Sequence, residues 1–207
     1  LLIATLGQLH GPHILHSGIT HHHARCDGLA GRLHPQRFHL KPERARIAIN
    51  AILSASRPHS FLGINGEGKT SIVRTTGNRY GHLVLRGGDG RPNYDTVSVR
   101  IAEQALTKAG LPANIVVDCS HANSYKNQEL QPLVMSDIVT QIREGNLSLV
   151  GAMIEANIVP GNQPIPDDLS QLKYGCSVTD ACVDWETTER MLRETAALLR
   201  EALPQRA

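Results

Sequence analysis

The chain has few aromatic residues: Phe, Trp and Tyr make up 3% of its 207 residues, with a single Trp. Any core must therefore be built mainly from aliphatic side chains. Charge of one dominant sign is also missing. A net charge of +2 implies neither nucleic acid nor a membrane surface as partner. No apolar run reaches the length of a membrane span. The opening Leu-Leu-Ile-Ala-Thr-Leu is too short, and wrongly flanked, for a secretory signal. No Met opens the chain, which fits a trimmed product or a fragment. Cys26, Cys119, Cys176 and Cys182 are scattered without CxxC spacing. Free thiols in a reducing cytosol are expected, rather than a disulfide framework. A length of 207 residues suffices for one domain with a sizeable core, or for part of a larger one.

Histidine is what the chain has in excess, and it is unevenly placed. Eight of the eleven histidines fall in residues 1–44: His10, His13, His16, His21, His22, His23, His34 and His39. The pattern there fits neither helix nor strand for long. His21, His22, His23 and Cys26 are types that can ligate zinc, but their spacing matches no standard finger. This segment reads as atypical, poorly ordered or non-native.

From Pro42 the texture is that of an α/β protein. Pro42 and Glu43 suit a helix start, with Ile47, Ala48, Ala51 and Ile52 on one face, and Pro58 beyond its end. Phe61-Leu62-Gly63-Ile64 and Thr70-Ser71-Ile72-Val73 flank Asn65-Gly66-Glu67-Gly68, a β-hairpin pattern. A strand at 83–85 leads to a helix at about 97–109, with Ile101, Ala105 and Leu106 inward and Gly110 stopping it. A strand at 115–119, a helix at about 130–144 and a strand at 148–154 follow. A Pro- and Gly-containing loop then leads to a last helix from about Trp185 to Leu203. Thr179 or Asp180 are its capping candidates, and Leu192, Ala196 and Leu199 form its inner face. Alternating strands and helices predict a parallel sheet buried on both faces. Its C-terminal strand ends share the rim where such folds place their chemistry.

Four side chains sit at that rim. Arg86, in Arg86-Gly87-Gly88, offers a planar fork of donors for a carboxylate or phosphate; pairing with a neighbouring carboxylate is the alternative. His121, flanked by Ser120 and Asn123, is a ligand, a general base or a structural histidine. Glu155 closes an apolar strand, where a carboxylate is costly unless it meets a cation or a donor. Asp180 is a ligand or a helix cap. One His and two carboxylates on one rim suit a divalent first-row metal, though none of these motifs supplies a fourth ligand. Met153 and the strand interiors read as packing.

Longer strings carry a specific resemblance. They are Leu85-Arg86-Gly87-Gly88 with Pro92-Asn93-Tyr94, and Asp118-Cys119-Ser120-His121-Ala122-Asn123-Ser124. Next come Met153-Ile154-Glu155-Ala156-Asn157-Ile158 with Gly161-Asn162-Gln163. The last is Lys173-Tyr174-Gly175-Cys176-Ser177-Val178-Thr179-Asp180-Ala181-Cys182 with Trp185-Glu186. In order and spacing, from about Ile47 to Leu203, they resemble the C-terminal half of the type I DAHP synthases (3-deoxy-D-arabino-heptulosonate-7-phosphate synthases).

The resemblance implies an α/β fold, the C-terminal part of an incomplete (β/α)8 TIM barrel with an inserted β-hairpin. It implies condensation of phosphoenolpyruvate with erythrose 4-phosphate to DAHP and phosphate, the first step of the shikimate pathway. It implies a divalent metal (Mn, Fe, Co or Zn) held by His121, Glu155 and Asp180 with a Cys. His121 and Arg86 then serve catalysis, Arg86 by binding the phosphoenolpyruvate phosphate. The hairpin resembles one that helps form an aromatic amino acid feedback pocket. A cytoplasmic homo-oligomer, with no nucleic acid or membrane partner, completes the expectation.

The chain departs from the family ahead of Ile47. The family's Lys-Pro-Arg-Thr, Gly-Ala-Arg-Thr-Thr and Gly-Phe-Lys-Asn-Gly segments are absent. Cys26 stands too close to the first helix to be the family's metal Cys. Gly28-Leu29-Ala30-Gly31-Arg32-Leu33, read one base later, can give Gly-Leu-Pro-Val-Gly-Phe, a family-like string. Residues 1–44 are therefore expected to be out-of-frame or mispredicted sequence, and residues 45–207 the DAHP synthase-like part. Three strands cannot close a barrel and would leave apolar faces open. The alternative function is a catalytically inactive truncated or frameshifted fragment, and turnover by the chain alone is not expected.

Overall fold

Alternation of short apolar runs with amphipathic helices builds the sheet. The computed structural model describes residues 2–5 and 42–206. Its elements are strand β1 (Leu2–Thr5), helix α1 (Pro42–Ala55), strands β2 (Ser60–Ile64), β3 (Thr70–Arg74) and β4 (Leu83–Leu85), helix α2 (Thr96–Lys108), strand β5 (Ile115–Asp118), helix α3 (Gln131–Arg143), strand β6 (Leu149–Ile154) and helix α4 (Trp185–Leu199). β4, β5 and β6 are parallel neighbours joined through α2 and α3, as the α/β pattern predicts. β1 adds an antiparallel strand at the other edge of β6, Leu2 opposite Ile154 and Thr5 opposite Gly151. That strand was not expected. It pairs the N–H and C=O groups that β6 would otherwise present at its edge.

The helices cover one face of the sheet. Leu83, Leu85, Ile115, Val117, Leu149 and Ile154 share a core with Val99, Ala102, Leu106, Ile138, Met191 and Leu199. Each fully buried aliphatic side chain there contributes roughly 1.5–3 kcal/mol. Val116 and Asp118 alternate to the opposite face. On the flanking strands Val84, Val150 and Met153 are only partly buried, so not every strand is covered on both sides. The hairpin β2–β3 pairs Leu62 with Ile72, and Leu62, Ile64 and Ile72 on its outer face are exposed.

Helix positions were legible and their apolar stripes in part: Ala48, Ile52, Ala105, Leu106, Leu192 and Leu199 lie in the core or against it, while Ile47, Ala51, Ile101 and Ala196 are exposed. α1 buries Ala48 and Ile49, not Ile47, which is 52% exposed. α2 turns Val99, Ala102 and Leu106 inward and leaves Ile101 out. α4 buries Thr188, Met191, Thr195 and Leu199 while Ala196 is exposed. Threonine is tolerated inside because its hydroxyl can bond the preceding turn; Thr188 Oγ1 donates to Asp184 O at 2.7 Å. The cap of α4 is Asp184, whose Oδ1 accepts from Thr187 N at 2.7 Å. Neither Thr179 nor Asp180 serves as that cap, which leaves the Asp180 carboxylate for the rim. Cys119, Cys176 and Cys182 are free thiols; Cys26 and the histidine cluster lie outside the described residues.

Candidate functional site

Each rim residue follows directly from a strand end or is brought back to one. His121 comes three residues after Asp118, in a tight turn where Lys126 N donates to His121 O at 2.7 Å. His121 itself is left-handed, with φ 54°, a conformation that is uncommon outside glycine but more accessible to His than to branched residues. Beneath it, two buried amides tie the strand ends together. Asn123 Nδ2 donates to Leu85 O at 3.1 Å and to Asp118 O at 2.8 Å. Asn123 Oδ1 accepts from Asn93 N at 2.8 Å, and Asn93 Oδ1 accepts from Gly87 N at 2.7 Å. Gly87 has φ 67°, and a Cβ there would lie 2.8 Å from Arg91 O and 2.9 Å from Asn123 Oδ1. Only glycine lets the chain after Arg86 approach this closely.

Glu155 follows β6 directly. Asp180 is twenty-five residues further on, and a ladder of backbone bonds folds it back. Val183 N donates to Glu155 O at 2.9 Å, Asn157 N to Val183 O at 2.9 Å, and Gly161 N to Cys182 O at 2.8 Å. The outcome is a compact cluster: one ligand atom each from His121, Glu155 and Asp180, all within 4.8 Å of one another. His121 Nε2 lies 3.3 Å from Glu155 Oε1 and 3.4 Å from Asp180 Oδ2.

The other ring nitrogen decides which atom can bind a cation. Ser120 Oγ donates to Asp118 Oδ1 at 2.7 Å, so it can only accept at His121 Nδ1, 2.6 Å away. Asp118 Oδ2 lies 2.8 Å from the same Nδ1. A proton on Nδ1 serves Ser120 Oγ and faces the negative Asp118 carboxylate, which leaves the Nε2 lone pair facing Glu155 and Asp180. Asp118 was not singled out from sequence. Its signal was its place at the end of an apolar strand, where a carboxylate needs a fixed partner; in the structure its side chain is only 1% exposed.

Electrostatics fit a cation here. Burial opposes ionisation of Asp118, but bonds from His121 and Ser120 prevail and hold its carboxyl below the usual range. Burial also opposes charge on His121, but Asp118 and then Glu155 raise its pKa. Glu155 is pushed up by burial and by the Asp180 and Asp118 charges, with His121 opposing. A metal-free cluster therefore carries carboxylates that repel one another. One imidazole nitrogen and two carboxylates suit a divalent first-row ion. Arg86 is partly buried and near enough for its charge to lower the His121 pKa. Among the described residues no carboxylate forms an ion pair with it. Its guanidinium remains available to an anion beside the cluster. All four residues expected at the rim thus lie there, three in mutual contact range and Arg86 alongside.

The DAHP synthetase I family model matches residues 34–193. The chain belongs to the DAHP synthetase I family. It is 48% identical over 147 residues to the Tyr-sensitive phospho-2-dehydro-3-deoxyheptonate aldolase of Salmonella typhimurium, an alignment covering 71% of this chain and 41% of that one. It is 45% identical over 161 residues to the phenylalanine-inhibited enzyme of Saccharomyces cerevisiae, covering 75% and 44% of the two chains. A phospho-2-dehydro-3-deoxyheptonate aldolase structure from Francisella tularensis superposes with TM-score 0.69 at 41% identity, covering 75% of this chain and 45% of that one. This DAHP synthetase family member thus spans less than half the length of these relatives. Among its described residues no helix is long and apolar enough to cross a membrane.

Proposed function

We propose that this chain carries the metal-binding and phosphate-facing rim for DAHP synthase-type condensation of phosphoenolpyruvate with erythrose 4-phosphate, the first step of the shikimate pathway. In this reading residues 45–207 are the C-terminal part of a (β/α)8 barrel in a cytoplasmic, homo-oligomeric enzyme. The observation that carries it is the approach of His121 Nε2 to Glu155 and Asp180 beside Arg86, which has no carboxylate partner among the described residues.

His121, Glu155 and Asp180 would hold the metal, with Mn, Fe, Co or Zn compatible with the donors. When bound, such an ion supplies Lewis acidity toward the aldehyde carbonyl and toward water. Asp118 and Ser120 keep the His121 proton on Nδ1, so Nε2 stays a ligand. Arg86 neutralises the phosphoenolpyruvate phosphate and orients its enol carbon. The Asn93 and Asn123 amides hold Arg86 and His121 on one surface. The Tyr-sensitive and phenylalanine-inhibited names of the relatives support an aromatic amino acid as feedback ligand near the hairpin.

The test is DAHP formation by the full chain with both substrates and Mn2+. Turnover abolished by His121→Ala supports the enzyme reading. Mn2+ uptake without turnover favours the alternative, a catalytically inactive truncated or frameshifted fragment. Failure to take up Mn2+ at all overturns the metal assignment. The frame of residues 1–44 is tested by the encoding nucleic acid. If no alternative upstream frame encodes the Arg-Thr-Thr and Lys-Asn-Gly motifs, the out-of-frame origin is wrong.

A further inference from the structure

We propose that Gln131 is a positioning residue for the cluster: its buried amide takes the place of a neighbouring strand for Glu155 and thereby sets where the Glu155 carboxylate stands. This rests on the metal-site reading above.

The parallel ladder between β5 and β6 runs to Cys119 N, which donates to Met153 O at 2.9 Å. Glu155 is the first residue beyond β6, so its N–H and C=O lie outside that ladder. The next rung would be made by the β5 chain, but that chain turns away at Ser120 to deliver His121. The open rung is filled by a side chain. Glu155 N donates to Gln131 Oε1 at 3.0 Å, and Gln131 Nε2 donates to Glu155 O at 3.1 Å. Gln131 opens α3 and its residue exposure is 0%. An amide with one acceptor and one donor can match a backbone N–H and C=O together.

The consequence reaches a second ligand. Glu155 O also accepts from Val183 N at 2.9 Å, and Val183 lies three residues after Asp180. One carbonyl thus joins α3, the end of β6 and the Asp180 segment. Ligands placed within a few tenths of an ångström need such support, and loss of an outer partner typically lowers metal affinity by 10–100-fold.

Amide exchange of the wild-type chain, read residue by residue, is the first measurement. The Glu155 amide should exchange as slowly as the β5 ladder amides. Exchange as fast as an exposed loop overturns the proposal without any variant. The second measurement is Co2+ titration of Gln131→Met, which keeps volume and removes both bonds. Affinity should fall about 10–100-fold with altered Co2+ absorption bands, while far-ultraviolet circular dichroism and cooperative melting persist. Binding and bands equal to wild type, with Glu155 exchange accelerated, make Gln131 merely structural and sink this proposal alone. A wild-type chain that takes up no Co2+ sinks the metal reading and this proposal together.

Discussion

Glu103 and Glu155 are carboxylates of nearly equal exposure at opposite ends of the same sheet, 13% and 15% for their side chains. Glu103, on α2, sits at the end where the strands begin. It accepts from Ser148 Oγ at 2.7 Å, Asn146 Nδ2 at 2.8 Å and Arg100 at 2.9 Å. Burial opposes its charge, yet those donors hold its pKa below the usual range. Glu155, at the end where the strands finish, meets His121 at 3.3 Å. Burial and the neighbouring carboxylates push its pKa up. Equal burial has opposite outcomes because the donors differ. The first carboxylate is satisfied by donors within the fold, whereas the second faces an imidazole and further carboxylates.

The sharpest break of that comparison is metal uptake. Glu155→Gln should lower Co2+ affinity by about 100-fold or more, beyond the loss from an outer partner, while Glu103→Gln leaves it unchanged in the same calorimetric titration. Equal losses would erase the distinction. Next in size is Asp118→Asn, with an expected loss of about 10–100-fold. Because Asp118 raises the His121 pKa, the variant's ring resonances should titrate at lower pH than wild type. In the wild type, protons compete with metal at His121, so affinity should fall about tenfold per pH unit below that raised pKa.

The smallest effect is on stability. Glu103→Ala should cost about 1–3 kcal/mol in denaturant unfolding, as its donors lose their acceptor. The lowered pKa of Glu103 means its contribution is present above the unfolded-state pKa and is lost as pH falls through the folded one. Glu155 behaves in the opposite sense. Its raised pKa makes the ionised form unfavourable, a penalty relieved as pH falls through the folded value. Metal-free Glu155→Gln should therefore be as stable as wild type, or more so by up to about 1 kcal/mol. A large loss would mean Glu155 is a structural carboxylate after all.

Much of this was readable from residue order. The hairpin around Asn65-Gly66-Glu67-Gly68, the βαβ alternation and the strand-end positions of Arg86, His121 and Glu155 follow from local patterns, because period and turn chemistry are local properties. The family strings identify the family for the same reason. Other features depended on what packs against what. The inward faces of α1, α2 and α4 were only partly as expected: Ala48, Leu106 and Leu199 are buried, but Ile47, Ile101 and Ala196 are exposed and Ile49, Val99, Ala102 and Met191 take inner places. The pairing of Leu2–Thr5 with β6 is a long-range contact that no local pattern announces.

Sequence alone determined the family, the element types and which side chains stand at strand ends, because each depends on residues close in the chain. Tertiary structure decided the partners. It brought Asp180 across a loop to Glu155, set Asp118 and Ser120 on one nitrogen of His121, and placed Gln131 against a backbone rung twenty-four residues away. Hydrogen bonds of that kind are fixed by distance and direction in space, and only the folded chain supplies either.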